Sequence, residues 1–145
     1  MTIYTDGSCR VSKEGAYGFI TVVDDKINTC FARTKSRTTN NQMELLAFIS
    51  ALQYIKKVKI KNINVYSDSE YVVKGYTLWK AKWIKNGWKS KENKSIATQS
   101  LWFDIIKLEE DLTRLTACPN VQWVRAHGSN KYNNFIDNLV QNLTK

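Results

Sequence analysis

Four carboxylates and one imidazole are the residues of this chain whose types could do chemistry together: Asp6, Glu44, Asp68, Asp137 and His127. Singly, three of them have plain readings. Asp68 ends Val65-Tyr66-Ser67-Asp68-Ser69, a junction where an acid often caps a helix. Asp137 reads as a solvated helix residue, and a lone His as a surface or hydrogen-bonded imidazole. Asp6 and Glu44 are harder to set aside. Asp6 follows Ile3-Tyr4-Thr5, a stretch that suits a buried strand, with Gly7-Ser8 read as the turn that ends it. Glu44, advancing by about 100° per residue, falls amid the apolar arc of Met43, Ala47, Phe48, Ala51, Leu52, Tyr54 and Ile55. An ionised carboxylate buried alone tends to neutralise, so it calls for a cation or a hydrogen-bond donor.

Gathered at one end of a sheet, such oxygen ligands select a hard cation, magnesium or manganese. Zinc is disfavoured by a single His and by Cys9, Cys30 and Cys118, which show no short paired spacing. A pair of hard ions about 3.5 to 4 Å apart is a common device for in-line phosphodiester cleavage.

Stepping the chain off by hydrophobic period gives the elements that must bring these acids together. The opening strand is followed by strands over 16–23 and 28–35, with Asp24-Asp25-Lys26 between them as a turn. Thr39-Asn40-Asn41-Gln42 is a capping-box pattern, Thr39 the N-cap, opening a helix to about Lys57. A strand over 61–67 leads to a helix over 69–85 with Val72, Tyr76, Trp79 and Trp83 on one face and a bend expected at Gly75. Residues 87–98 read as a loop, and Leu101, Ile105, Leu108 and Leu112 mark an amphipathic helix that Pro119 closes. A fifth strand over 121–126, a loop over 128–131 and a helix over 132–143 complete the chain. Three strands followed by alternating helices and strands predict an α/β domain with a mixed sheet.

The 145 residues suit one domain, with 22 Lys and Arg against 13 Asp and Glu for a net charge of +9. A polyanion is the expected partner. No leader segment or membrane-length apolar run is evident, and the odd cysteines suit a reducing compartment, so the expectation is a soluble intracellular protein of cytoplasm or nucleus. The charge is concentrated. Between Tyr71 and Phe103 lie Lys74, Lys80, Lys82, Lys85, Lys89, Lys91 and Lys94 against Glu92 alone, with Trp79, Trp83, Trp88 and Trp102 interleaved. Lysines with aromatic faces suit binding to a nucleic-acid backbone, although Trp79 and Trp83 also fit a packed helix face.

Tyr4-Thr5-Asp6-Gly7-Ser8-Cys9, Arg37-Thr38-Thr39-Asn40-Asn41 with Met43-Glu44-Leu45, and Thr77 to Trp88 after Asp68-Ser69 together resemble type 1 ribonuclease H. His127, ten positions before Asp137, completes the likeness over essentially the whole chain. The resemblance implies the ribonuclease H-like α/β fold, a five-stranded mixed sheet of three antiparallel and then two parallel strands flanked by helices, as a single catalytic domain over 1–145. It implies an endonuclease that hydrolyses the RNA strand of RNA/DNA hybrids with two Mg²⁺ ions, Mn²⁺ as a substitute, leaving 5'-phosphate and 3'-hydroxyl ends. Asp6 would bridge the ions, Asp137 would complete the one that activates water, and Glu44 with Asp68 would hold the one at the leaving 3'-oxygen. His127 would assist proton transfer or product release, as suits an imidazole.

For the substrate, the same resemblance implies a basic protrusion around 79–98 with Lys80, Lys82 and Lys85 on the DNA strand, and Tyr71 with Trp79 along the DNA channel. Arg37 and Thr39 match a DNA-phosphate pocket, in which Thr98 replaces a usual Asn, and Asn40 and Asn41 match minor-groove contacts. Ser12 stands near the place of an RNA-contacting Asn, Glu70 where a neutral residue is common, and Asn134 where many relatives carry a Glu. A monomer with no obligate protein partner and no preceding hybrid-binding domain is expected. Two other readings are a non-catalytic nucleic-acid-binding module, which would need to have lost a ligand, and a resolvase or integrase-like nuclease, which would lack the Trp-Lys segment.

Overall fold

The structure is a computed structural model and describes residues 1–87 and 98–145. Strands β1 (Thr2–Cys9), β2 (Gly15–Val23) and β3 (Lys26–Lys35) form an antiparallel meander. Helix α1 (Asn40–Val58) crosses to β4 (Asn64–Ser67), and α2 (Glu70–Lys74), a π-helical turn (Gly75–Trp79) and α3 (Lys80–Lys85) follow. Helix α4 (Gln99–Leu115), β5 (Asn120–Trp123) and α5 (Lys131–Leu143) complete the chain. The strand order is β3-β2-β1-β4-β5, antiparallel from β3 to β1 and parallel from β1 to β5. This is the mixed five-stranded sheet that the resemblance implies.

Period-two alternation divides β1 between two apolar layers. Ile3 joins Phe19, Val65 and Val121 under α1 and α4, whereas Tyr4 joins Ala16, Ile20 and Val22 under Ile136 and Val140 of α5. Thr39 caps α1 as its sequence predicts, accepting the Gln42 N–H at 3.2 Å. The reciprocal half of the capping box is not made, because Gln42 Oε1 instead accepts from the Thr38 hydroxyl at 2.8 Å.

Three local expectations are corrected. Gly7-Ser8 is not a turn: residues 7 to 9 go on pairing with Tyr17, Ala16 and Gly15, so β1 runs to Cys9. Strand β4 is shorter than 61–67, since Lys59 and Asn62 adopt left-handed backbone and spend that stretch on the turn out of α1. Strand β5 ends at Trp123 because its parallel partner ends at Ser67, leaving one further bond from Val124 N–H to Ser67 O. The helix after Ser69 is irregular where a bend is expected: a π-helical turn begins at Gly75, where the Trp102 ring packs so closely that a Cβ would lie 2.5 Å from it. Trp102 itself is fully buried, its indole N–H donating to the Tyr71 hydroxyl at 3.0 Å, so it is core and not a nucleic-acid contact.

Candidate metal centre and its surroundings

Asp6 lies in the middle of β1, opposite Gly18 of β2. On its other edge the parallel ladder ends at Thr5 and Ser67, so Asp6 is the first β1 residue beyond β4. Glycine at the next position brings α1 in. A Cβ on Gly7 would lie 2.3 Å from the Met43 carbonyl carbon and 2.5 Å from Glu44 N, so the first turn of α1 rests directly on the strand backbone. Glu44 reaches Asp6 for that reason. Asp68 follows the last residue of β4, and the helix cap at this junction is Ser69, whose hydroxyl accepts the Val72 N–H at 3.2 Å. The capping role that Asp68 could have filled is taken, and its carboxylate faces the other acids.

One oxygen from each of Asp6, Glu44 and Asp68 lies within 4.8 Å of the other two. Asp6 Oδ1 accepts its neighbour's N–H from Gly7 at 2.9 Å, while Asp6 Oδ2 and Glu44 Oε1 are buried with no hydrogen-bond partner among the described residues. Asp6 is 3 % exposed. Burial first, then the Asp68 charge and the adjoining Asp137 carboxyl, pushes its pKa up to about 9. Glu44 is likewise raised, by burial and then by the charges of Asp6 and Asp68. Converging acids with orphaned, buried oxygens form a donor set that suits a hard divalent cation, and no described residue neutralises them.

Asp137 stands outside this group of three and beside Asp6, whose pKa it raises. Its Oδ2 lies 3.4 Å from His127 Nδ1. His127 is exposed and left-handed, with φ 53°. The Asn134 side-chain N–H donates to Gly128 O at 3.0 Å, tying α5 to the loop that carries the imidazole.

A cavity of about 640 Å³ is lined by Thr39, Asn40, Asn41, Gln42, Tyr71, Trp83 and Thr98. It gathers five of the residues that the sequence assigned to substrate: Thr39, Asn40, Asn41, Tyr71 and Thr98. Thr98 and Tyr71 hydroxyls are 2.7 Å apart, and Asn40 Oδ1 accepts the Cys9 N–H at 2.8 Å, joining the end of β1 to the start of α1. Trp83 lines the cavity where Trp79 was expected, and Trp79 packs against it at 6.0 Å between ring centroids. Arg37 and Ser12 are exposed on turns outside these walls. Lys82 and Lys85 are exposed on α3, whereas Lys80 is drawn inward. Its Nζ pairs with Glu109 and sits 4.2 Å from the Tyr76 ring centroid, leaving the side chain 13 % exposed. Trp88, Lys89, Lys91, Glu92 and Lys94, and with them much of the expected protrusion, lie outside the described residues.

Two further side chains, outside those that the sequence motifs single out, meet Asp68. The Trp123 indole N–H donates to its backbone carbonyl at 3.2 Å, and Asn133 Nδ2 approaches its Oδ2 at 3.5 Å. Asn130 was a readable signal for the latter, since an Asn ahead of a helix is a common N-cap and places the residue three positions on. No described helix is long and apolar enough to cross a membrane.

The fold and this cluster define a class: an α/β domain that gathers acidic side chains able to hold a cation from β1, α1 and the end of β4, and that carries a polar and aromatic cavity at the start of α1. Comparison with known proteins narrows the class. The RNase H family model matches residues 1–145. A ribonuclease H of Wolbachia sp. subsp. Drosophila simulans (strain wRi) is 37 % identical over 145 residues, covering 97 % of this chain and 92 % of that protein. A ribonuclease HI of Haemophilus influenzae (strain ATCC 51907 / DSM 11121 / KW20 / Rd) is 38 % identical over 140 residues, covering 96 % and 86 %. The foamy viral protease-reverse transcriptase in complex with RNA/DNA hybrid contains a domain of the same fold, with TM-score 0.80 and 19 % identity over 97 % of this chain and 19 % of that one. The chain belongs to the ribonuclease H family of enzymes.

Proposed function

We propose that this ribonuclease H cuts the RNA strand of RNA/DNA hybrids internally, leaving 5'-phosphate and 3'-hydroxyl ends. The observation that carries the reading is the Asp6, Glu44 and Asp68 cluster, with its buried, partnerless oxygens, in a chain of this family. Support for the substrate comes from the related fold solved with an RNA/DNA hybrid, and from the cavity whose Asn40, Asn41, Thr39 and Trp83 offer amides, a hydroxyl and an aromatic face beside the cluster's helix.

Asp6, Glu44, Asp68 and Asp137 are the residues that would hold two Mg²⁺ ions, Mn²⁺ substituting. Bound there, such ions neutralise phosphate charge and make water nucleophilic at neutral pH. The remaining work falls to the chain. Asp6, held by its Gly7 N–H bond and by the ladder to β2 at Gly18, stands beside Glu44, Asp68 and Asp137. His127, beside Asp137, holds or moves a proton at Nδ1 from an exposed position that solvent can reach. Lys82 and Lys85 bind phosphates without regard to sequence.

The test is cleavage of an end-labelled RNA/DNA hybrid in Mg²⁺, beside RNA and DNA duplexes of the same sequence. Selective internal cutting of the RNA in the hybrid, with products that a ligase accepts only through a 5'-phosphate, is the expected result. Equal cutting of all three duplexes would remove the specificity, and cutting unaffected by chelator would remove the metals.

A further inference from the structure

Asn133 is fully buried, yet its carboxamide is poorly matched to a purely structural role. Its Oδ1 has no hydrogen-bond partner among the described residues, and its Nδ2 has the Asp68 carboxylate, 3.5 Å away, as its neighbour. An unpaired buried polar atom costs about 1 to 3 kcal/mol, and an aliphatic side chain of similar volume would occupy the same place without it. Packing between α5 and the sheet therefore does not explain the amide.

Its placement does. Asn130 caps α5, its Oδ1 accepting the N–H groups of Tyr132 and Asn133 at 3.0 and 3.1 Å, and its Nδ2 reaches the Tyr4 hydroxyl at 3.3 Å. Tyr4 is two residues before Asp6 on the same face of β1. The cap thus pins the first turn of α5 to the strand that carries the central acid. Asn133 and Asp137, four residues apart, then share the helix face turned toward the carboxylates. Asp6, Glu44 and Asp68 repel one another, and Asp68 is the least buried of the three side chains to be held against that repulsion. A neutral donor from α5 can hold it without adding charge.

We propose that Asn133 is a positioning residue of the metal centre: its Nδ2 donates to Asp68 Oδ2 and keeps the Asp68 side chain in the arrangement that reaches Asp6 and Glu44. This rests on the reading that the cluster holds divalent cations. Outer partners that orient metal ligands change affinity by about 10- to 100-fold when removed.

The experiment is calorimetric titration of Mg²⁺ into the wild-type chain, Asn133→Leu, Asn133→Ala, Asp68→Asn and the double variant Asp68→Asn/Asn133→Leu. Urea unfolding in EDTA monitors the metal-free fold of each. Asn133→Leu is expected to bind Mg²⁺ about 10- to 100-fold more weakly while its metal-free stability is unchanged or raised. Because Asn133 acts through Asp68, Asn133→Leu should cause no further loss in the Asp68→Asn background. Asn133→Ala, which adds no bulk, repeats the measurement if the leucine disturbs folding. Unchanged affinity in the single variants, or an equal loss in both backgrounds, would overturn the proposal. Failure of the wild type to bind Mg²⁺, or undiminished binding by Asp68→Asn, overturns the metal reading itself and is seen in separate samples.

Discussion

Replacing Asp6 with Asn should make the metal-free protein more stable. The side chain keeps its shape and its Oδ1 still accepts the Gly7 N–H, but the ionisable group is gone from a site that is 3 % exposed. In the fold the Asp6 pKa is pushed up to about 9, against an ordinary value of 3.8. A raised acid pKa means that the folded chain binds the proton more tightly than the unfolded one. Below pH 3.8 both states are protonated and the site costs nothing. As pH rises toward 9 the unfolded state gives up the proton that the folded state retains, and stability falls by roughly 1.4 kcal/mol per pH unit. At pH 7 the penalty is on the order of 4 kcal/mol, which for a domain of this size is roughly 10 °C in Tm. Urea unfolding followed by circular dichroism in EDTA, from pH 4 to pH 8, measures it. The variant's advantage should be largest at the alkaline end and shrink toward zero near pH 4, and Mg²⁺ should narrow the gap by stabilising the wild type selectively. A variant no more stable than the wild type at pH 7, or an advantage independent of pH, would refute the account of a repelling, buried acid cluster.

Other expected outcomes follow from single contacts. Gly7→Ala places a methyl 2.3 Å from the Met43 carbonyl carbon, backbone that cannot yield, so a loss of about 3 kcal/mol and of Mg²⁺-dependent cleavage is expected; a loss below about 1 kcal/mol would mean that α1 does not rest on the strand. Lys82→Ala and Lys85→Ala should each reduce the slope of log binding constant against log salt by about 1 for a hybrid, whereas Lys80→Ala should leave the slope alone and lower stability, because its charge is spent on Glu109. A matching drop in slope for Lys80→Ala would place that ammonium on the nucleic acid. His127→Ala should lower kcat about 100-fold with little change in KM, as loss of a proton-transfer group does, and steady-state kinetics on a hybrid would show a KM effect instead if the imidazole only bound substrate.

The acids could be found in the sequence because local periodicity exposes a misplaced charge. Glu44 interrupts an apolar helical arc and Asp6 an apolar strand, and both patterns are short-range. Thr39 as a cap and the meander preceding an alternating α/β tail were legible on the same grounds. What failed depended on partners distant in the chain. Gly7-Ser8 has turn chemistry, and only the continuing ladder with β2 makes it strand. Lys80 has the composition of a phosphate-binding helix, and only Glu109 and the Tyr76 ring, brought by the fold, draw it inward. Trp79, Trp83 and Trp102 are alike in sequence, yet one packs sideways, one lines the cavity and one is core.

Asp68 shows where the division falls. Its residue type at the end of a strand admits a cap or a metal ligand, and both are local possibilities of equal chemistry. Ser69 takes the cap, Trp123 holds the carbonyl and Asn133 meets the carboxylate, so the surroundings of Asp68 are set in part by groups from β5 and α5 that lie 55 and 65 positions away. The sequence by itself determined which acids could not be at ease where their elements put them, since burial of a charge is penalised wherever it occurs. The tertiary structure decided which of them meet, and which neighbours hold them there. Distances of a few ångströms between remote segments are set by packing, and packing is a property of the whole sheet and its helices.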